Sequence, residues 1–247
     1  MHHTCFYDLP KQHTKSKIFS FLVFLFPMKH LLYFLTTLFL ATNTLYAQTS
    51  KIDFGLQGSP SLISMHGNEI LSELNQAGLG FSVGISAQFH VHKHWSVVTD
   101  INFERKGANS DGVLTDNLGE VIGTFRSQQQ FDYLALPVLV RYHFGEQIRF
   151  FVNAGPYVGY LLQQNNKISS DLIGPSSYSS KADFKSLDAG VSAGFGMTAQ
   201  INSKLAYTID LRNNLGIYNI SALPVINNGK VQTNSLNLLV GLRYELN

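Results

Sequence analysis

Residues Thr233–Leu246 read TNSLNLLVGLRYEL. Leu236, Leu238, Val240, Leu242, Tyr244 and Leu246 share one parity, while Asn237, Gly241, Arg243 and Glu245 share the other, with Leu239 the exception. Successive side chains of a strand point to opposite faces, so this stretch has one apolar face and one polar face. The pattern recurs upstream. Leu205, Tyr207, Ile209 and Leu211 oppose Thr208, Asp210, Arg212 and Asn214. Trp95, Val97, Ile101 and Phe103 oppose Asp100, Asn102, Glu104 and Lys106. Leu187, Ala189, Val191, Ala193, Phe195 and Met197 oppose Asp188, Gly190, Ser192, Gly194, Gly196 and Gln200. Leu79–His90, Phe131–Phe144, Arg149–Leu162 and the less decisive Lys51–Ser59 bring the segments to eight.

The connections alternate in length. Val91–His94, Gly145–Ile148 and Ile201–Lys204 are short, whereas Pro60–Gly78, Gly107–Gln128, Gln163–Asp183 and Gly216–Gln232 are long and polar. An even number of antiparallel strands, with tight turns at one end and long loops at the other, predicts an all-β, eight-stranded up-and-down transmembrane barrel.

Charge decides which face is inside. The polar face carries Asp100, Glu104, Arg141, Asp188, Asp210, Arg212, Arg243 and Glu245, both signs together. Exposing the opposite apolar face to water over eight strands would far exceed an ordinary surface patch. Lipid against that face and closure of the strand edges solve both problems. The charges are then expected to pair across the lumen, because a buried unpaired charge is costly. Phe89, Trp95, Tyr142, Phe144, Phe150, Tyr207 and Tyr244 fall in the outward phase near the short turns. They read as an aromatic girdle at one membrane boundary, expected to be the periplasmic one, with Phe81, Phe103 and Tyr160 as a thinner second girdle.

Upstream of the strands, Leu31–Ala41 (LLYFLTTLFLA) follows Lys29 and His30 and precedes TNTLYAQ. This order predicts an export signal over 28–47, cleaved after Ala47, with residues 1–27 an upstream extension and 48–247 the barrel domain. A membrane helix over Ile18–Ala41 would be broken by Pro27, Lys29 and His30. The 18 basic and 16 acidic residues lose Lys11, Lys15, Lys17, Lys29 and Asp8 with the leader, leaving a formal net charge of −1. No basic tract points to nucleic acid. Cys5, the single cysteine, lies in the extension, so no disulfide is expected.

Tyr133–Tyr142 (YLALPVLVRY) and Phe151–Leu162 (FVNAGPYVGYLL) resemble paired segments of the PorT-like family of outer-membrane barrels found in Bacteroidetes-type bacteria. Asp188–Met197 (DAGVSAGFGM) and Leu238–Leu246 (LLVGLRYEL) are similar to the same family, so the resemblance covers essentially Lys51–Asn247. It implies an outer-membrane location in a Gram-negative cell and a C-terminal strand read by the barrel-insertion machinery. The chain departs from that insertion signal by ending on Asn247 instead of an aromatic residue. The founding member is linked to secretion of cell-surface proteins, but no residue here carries that role across.

Several motifs have a chemical reading. His90, His92 and His94 form H-x-H-x-H, which on one strand face would offer imidazoles to Zn²⁺ or Cu²⁺; a polar turn is the plainer reading. Gly80–Gly84 (GFSVG) and Gly190–Gly194 (GVSAG) match G-x-S-x-G but lie inside strands, away from the strand-to-helix turn that a nucleophile elbow needs. His143 lies inward beside Arg141, with no serine evidently paired to it. An eight-stranded interior is just wide enough to be filled by side chains, which argues against free diffusion.

The resulting expectation is a monomeric, non-enzymatic barrel without cofactor. It serves as a scaffold or binds an unidentified protein or glycan through loops that include Phe125, Tyr178, Tyr218 and Leu223. A narrow channel, a lipid-modifying enzyme and a secretion accessory are the alternatives.

Overall fold

A computed structural model describes residues 51–68, 75–146, 148–172 and 174–246. The segments read as extension (1–27) and export signal (28–47) lie outside the described residues. Among the described residues ten strands form, in chain order: β1 (Ile52–His66), β2 (Asn75–Gln76), β3 (Gly78–His90), β4 (Trp95–Thr115), β5 (Val121–Phe144), β6 (Arg149–Ser170), β7 (Ser176–Tyr178), β8 (Leu187–Gln200), β9 (Leu205–Gly216) and β10 (Gln232–Leu246). Eight of them pair antiparallel in the order β4-β3-β1-β10-β9-β8-β6-β5, and β5 pairs back to β4. The sheet therefore closes into the eight-stranded up-and-down barrel expected from the sequence. The seam joins the first strand to the last, from Ile52↔Leu246 to His66↔Gln232. The small strands β2 and β7 add to β4 and β6 at the long-loop end.

The three tight connections lie where the alternation places them, at 91–94, 145–148 and 201–204. Local chemistry closes two of them. Asn202 Oδ1 accepts the N–H groups of Lys204 and Leu205, both at 2.9 Å, the side-chain-to-backbone bonding that makes asparagine a turn residue. Gly145 adopts φ +88°, a region open to glycine at no steric cost.

The long connections differ from the expectation. Gly107–Gln128 is mostly strand: β4 continues to Thr115, β5 starts at Val121, and only 116–120 turn. Likewise β1 continues to His66 and β6 to Ser170. The reason is solvent. A strand wetted on both faces needs no apolar alternation, so the period-two signal stops at the bilayer while the hydrogen-bonded ladder continues. With 21, 24 and 22 residues, β4, β5 and β6 are about twice the 9–11 needed to cross a bilayer. They project as a raised arm on one flank. Gly107, at φ +148° and pressed against the Gln129 carbonyl, sits where β4 leaves the barrel for the arm.

Leu134, Leu136, Val138, Val140, Tyr142 and Phe144 on β5 are exposed, as are Leu236, Leu238, Val240, Leu242, Tyr244 and Leu246 on β10. These alternate with buried residues along each strand, producing a continuous apolar belt about as tall as a hydrocarbon core. Among the described residues no helix is long and apolar enough to cross a membrane.

Candidate functional site

The inward faces converge on the barrel axis and fill it in layers. Nearest the short turns, Gln88, Ser96, His143 and Arg243 are buried together. His90 Nε2 lies 2.8 Å from Asp53 Oδ2, and Ser96 Oγ lies 3.1 Å from both His90 Nδ1 and His143 Nε2. The two imidazole rings stack with centroids 6.0 Å apart. Gln88 Oε1 accepts from Arg141 Nη1 at 3.2 Å and also from Arg243 Nη1.

The next layer is ionic. Arg212 donates to Asp100 at 2.5 Å and to Asp210 at 2.6 Å. Asp210 Oδ2 also accepts from Arg141 Nη2 at 3.1 Å and Asn153 Nδ2 at 2.9 Å. The Arg141 guanidinium lies 3.7 Å from the centre of the Phe151 ring, a close cation–π stack. Above this, Lys106 Nζ donates to Asp188 Oδ2 at 2.9 Å and to the Tyr157 hydroxyl at 3.1 Å. Thr233 Oγ1 also donates to Asp188, at 2.8 Å. Glu104 Oε1 accepts from Ser235 Oγ at 2.5 Å, Asn214 Nδ2 at 3.0 Å and Asn237 Nδ2 at 3.2 Å. Buried charges persist only when paired and hydrogen-bonded, and both ionic layers meet that requirement with partners drawn from several strands.

An apolar cap closes the long-loop mouth. Met65, Ala108, Phe131, Tyr133, Leu161 and Ile220 form one cluster, with Phe184 and Val231 packed against it. Ile220 comes from the connection between β9 and β10 yet is fully buried, and the backbone bonds Ile220 N–H to Val231 O (2.9 Å) and Lys185 N–H to Ile220 O (2.7 Å) hold it there.

Of the residues singled out along the chain, Asp100, Glu104, Arg141, Asp188, Asp210, Arg212 and Arg243 are buried in the lumen. Glu245 stands apart from that network at the rim, where Lys51 Nζ reaches its Oε1 at 2.7 Å. Trp95, Tyr142, Phe144, Phe150, Tyr207 and Tyr244 are exposed on the outer wall, and Phe89 is half-buried there. The Trp95 and Tyr142 rings meet at a tilt of 57°, with centroids 4.9 Å apart, across the β4–β5 pair.

The three histidines do not share a strand face. His90 ends β3 and turns inward to Asp53, His92 lies in the exposed hairpin, and His94 Nδ1 meets the His143 carbonyl oxygen at 3.2 Å. The turn interrupts the strand geometry on which the metal reading depended. Among the described residues no group of three or more His, Cys, Asp or Glu is placed to hold a metal ion.

Ser96 and the apolar cap are the residues that sequence reasoning missed, and Lys106, though placed on the polar face, was left out of the lumen charges. Ser96 corrects the reading of His143 as lacking a serine, since the pairing crosses from β4 to β5 and leaves no mark along the chain. Lys106 shares the phase of Asp100 and Glu104, which was signal enough to include it. Ile220 and Phe184 were visible only as lone apolar residues in polar connections.

Ser96, His90 and Asp53 stand in series, the components of an activated nucleophile. Ser96 is fully buried, however, and its hydroxyl faces two imidazoles and no open surface. The serines of the two G-x-S-x-G matches lie in β3 and β8, where Ser82 and Ser192 are buried lumen residues and Ser192 Oγ donates to Asn214 Oδ1 at 2.6 Å.

A closed barrel with an apolar belt outside and ion pairs inside defines an integral membrane protein of the β-barrel class. The chain belongs to the family described as the outer membrane protein beta-barrel domain, whose model matches residues 46–222. It is accordingly a protein of the outer membrane. No curated protein matches it. Among solved structures it is similar to Ail, the attachment invasion locus protein of Yersinia pestis, with 10% identity, coverage of 81% of this chain and 100% of that one, and a TM-score of 0.41. Neisserial surface protein A aligns at 14% identity over 78% of this chain and 97% of its own, with a TM-score of 0.39. OprG of Pseudomonas aeruginosa aligns at 11% identity over 80% and 95%, with a TM-score of 0.37.

Proposed function

We propose that this outer-membrane protein is a non-enzymatic, monomeric barrel with a closed lumen. It acts as a scaffold or as a binding surface for a protein or glycan ligand at its long-loop end, which faces the exterior. The observation that carries this reading is the layered filling of the lumen, from the histidine layer through both ionic layers to the Ile220 cap. A solute pathway would need those pairs to separate, each at a cost on the order of several kcal/mol. What the fold offers instead is the raised β4–β6 arm, with Val113, Leu118, Val121 and Tyr178 exposed beyond the apolar belt. Tyr218 and Leu223 are exposed in the connection beside it, whereas Phe125 is half-buried over Gly112.

The likeness of Tyr133–Tyr142 and Phe151–Leu162 to PorT-like proteins supports a Bacteroidetes-type origin and keeps a role as secretion accessory as the second reading. Export by cleavage after Ala47 and recognition of β10 by the insertion machinery belong to the same proposal.

The test is single-channel recording of the folded protein in a planar bilayer. Silent insertions are expected, and discrete conductance steps would overturn the closed lumen. Surface binding to immobilised glycans and surface proteins should then be lost when residues 111–126 are replaced by a two-residue turn. Binding that survives this shortening would move the proposed site off the arm.

A further inference from the structure

The lumen charges are paired unevenly. Arg141, Arg212, Arg243 and Lys106 face Asp100, Glu104, Asp188 and Asp210. Toward the long loops, Glu104 and Asp188 surround Lys106; toward the short turns, Arg141 and Arg212 share Asp100 and Asp210, and Asp53 pairs with His90. Arg243 is the one left over. It is 5% exposed, its Nη1 donates to the neutral Gln88 amide oxygen already shared with Arg141, and its Nε has no partner. Among the described residues no carboxylate comes within ion-pair distance of it. An uncompensated cation at that depth is costly.

Arg243 lines a recess at the short-turn mouth together with Arg149, Lys204, His143 and Thr198. Of the two acids of its lining, Glu245 pairs with Lys51 at 2.7 Å, and Asp53 meets His90 through Oδ2 at 2.8 Å while its Oδ1 has no partner. Arg149 and Lys204 have no carboxylate partner among the described residues. His143 Nδ1 is buried and also without a partner. Its Nε2 faces the Ser96 hydroxyl and the Gln88 amide nitrogen, a pure donor, which leaves the ring proton for Nδ1.

We propose that this recess binds a small oxyanion, a phosphate or carboxylate group held on Arg243 and screened by Arg149 and Lys204 at the rim. A guanidinium presents a planar fork that matches such a group with two parallel hydrogen bonds. The bound anion takes up the donor capacity that Arg243 Nε and His143 Nδ1 leave unused. The site lies at the opposite end of the barrel from the proposed binding loops and does not depend on them.

The test uses the folded protein in a phosphate-free maltoside detergent. Its thermal unfolding midpoint is followed against added sodium phosphate at constant ionic strength, with sodium chloride as the reference. A saturable rise specific to phosphate is expected, because a ligand of the folded state shifts the equilibrium by mass action. Arg243→Gln should weaken the apparent affinity roughly tenfold or more, as loss of a charge-assisted bond does. Should that variant not fold, the rim double variant Arg149→Gln/Lys204→Gln, at more exposed positions, must weaken it as well. Arg126→Gln on the arm should leave it unchanged. Parallel titrations with glycerol phosphate and acetate separate an ester or carboxylate source from free phosphate. No saturable rise with any of the three anions, or a rim variant that responds like the native protein, overturns the proposal.

Discussion

Arg105 and Asp132 form a two-pronged ion pair on the outer wall, Nε to Oδ1 at 2.6 Å and Nη2 to Oδ2 at 2.8 Å. They are cross-strand neighbours on β4 and β5, and the guanidinium also lies 5.2 Å from the Phe81 ring centre. Below Asp132 the outward residues of β5 are apolar as far as Phe144; above it they are wet. The pair therefore marks the height at which hydrocarbon gives way to headgroups. A double-mutant cycle with Arg105→Gln and Asp132→Asn, read by urea unfolding, should give a coupling of about 1 kcal/mol, at or above the upper end for exposed pairs, because both prongs are formed and the site is partly dry. A coupling indistinguishable from zero would remove its stabilising role.

The lumen should be far more sensitive. Asp210 Oδ2 serves Arg141, Arg212 and Asn153 at once. Asp210→Asn leaves two buried guanidiniums sharing one remaining acid, Asp100, and should cost about 3–5 kcal/mol of unfolding free energy. The exposed Asp111, paired with Arg126 at 3.0 Å, should lose under about 1 kcal/mol when changed to asparagine. Equal losses at the two sites would mean that water reaches the lumen layer.

Ile220→Ala removes the side chain that the β9–β10 connection inserts into the cap. The expected loss is about 2–4 kcal/mol, the range for truncating a buried isoleucine that leaves a cavity. Amide exchange at Lys185 and Ile220 should rise first, since their bonds tie the connection to its neighbours. Conductance should stay silent, because the two ionic layers beneath remain in place.

Toward the tip of the arm, just past the end of β6, Asp171 accepts the Thr124 hydroxyl at 2.7 Å and the Thr124 amide at 2.8 Å. These bonds hold its carboxyl below the ordinary range, the hydroxyl contributing more. A depressed carboxyl stabilises the folded form above its unfolded pKa, roughly 3.9, and that contribution disappears as pH falls through the lower folded value. Amide exchange at Thr124 should show no added opening across neutral pH, and protection should fall only in that acidic window. A loss of protection already at about pH 5–7, the histidine range, would assign the effect to another group.

Much of the barrel could be read along the chain because lipid imposes a strict period. Where hydrocarbon wets one face and ion pairs the other, as in Leu236–Leu246 and Leu134–Phe144, no residue can sit in the wrong phase without cost. The exception at Leu239 is instructive, since it is buried inward and costs little in a lumen that tolerates apolar atoms. The same rule hid the arm. Once both faces meet water, Asn109–Asp111 and Arg126–Gln128 carry no alternation, although they pair in unbroken register. The lumen's composition was visible, but its pairings were not. Asp100 finds Arg212 and Lys106 finds Asp188 only after the sheet has curled, across separations that leave no local trace.

The seam between β1 and β10 gives the fold a built-in test of completeness. Every other strand can meet its neighbour as soon as the next hairpin emerges, but Ile52 must wait for Leu246, on the last of the eight barrel strands. A chain stopped short of β10 would carry two raw edges, an open sheet with no way to shut itself. Closure thus reports that β10 has been made, and a product lacking it would announce itself by its unsealed flank.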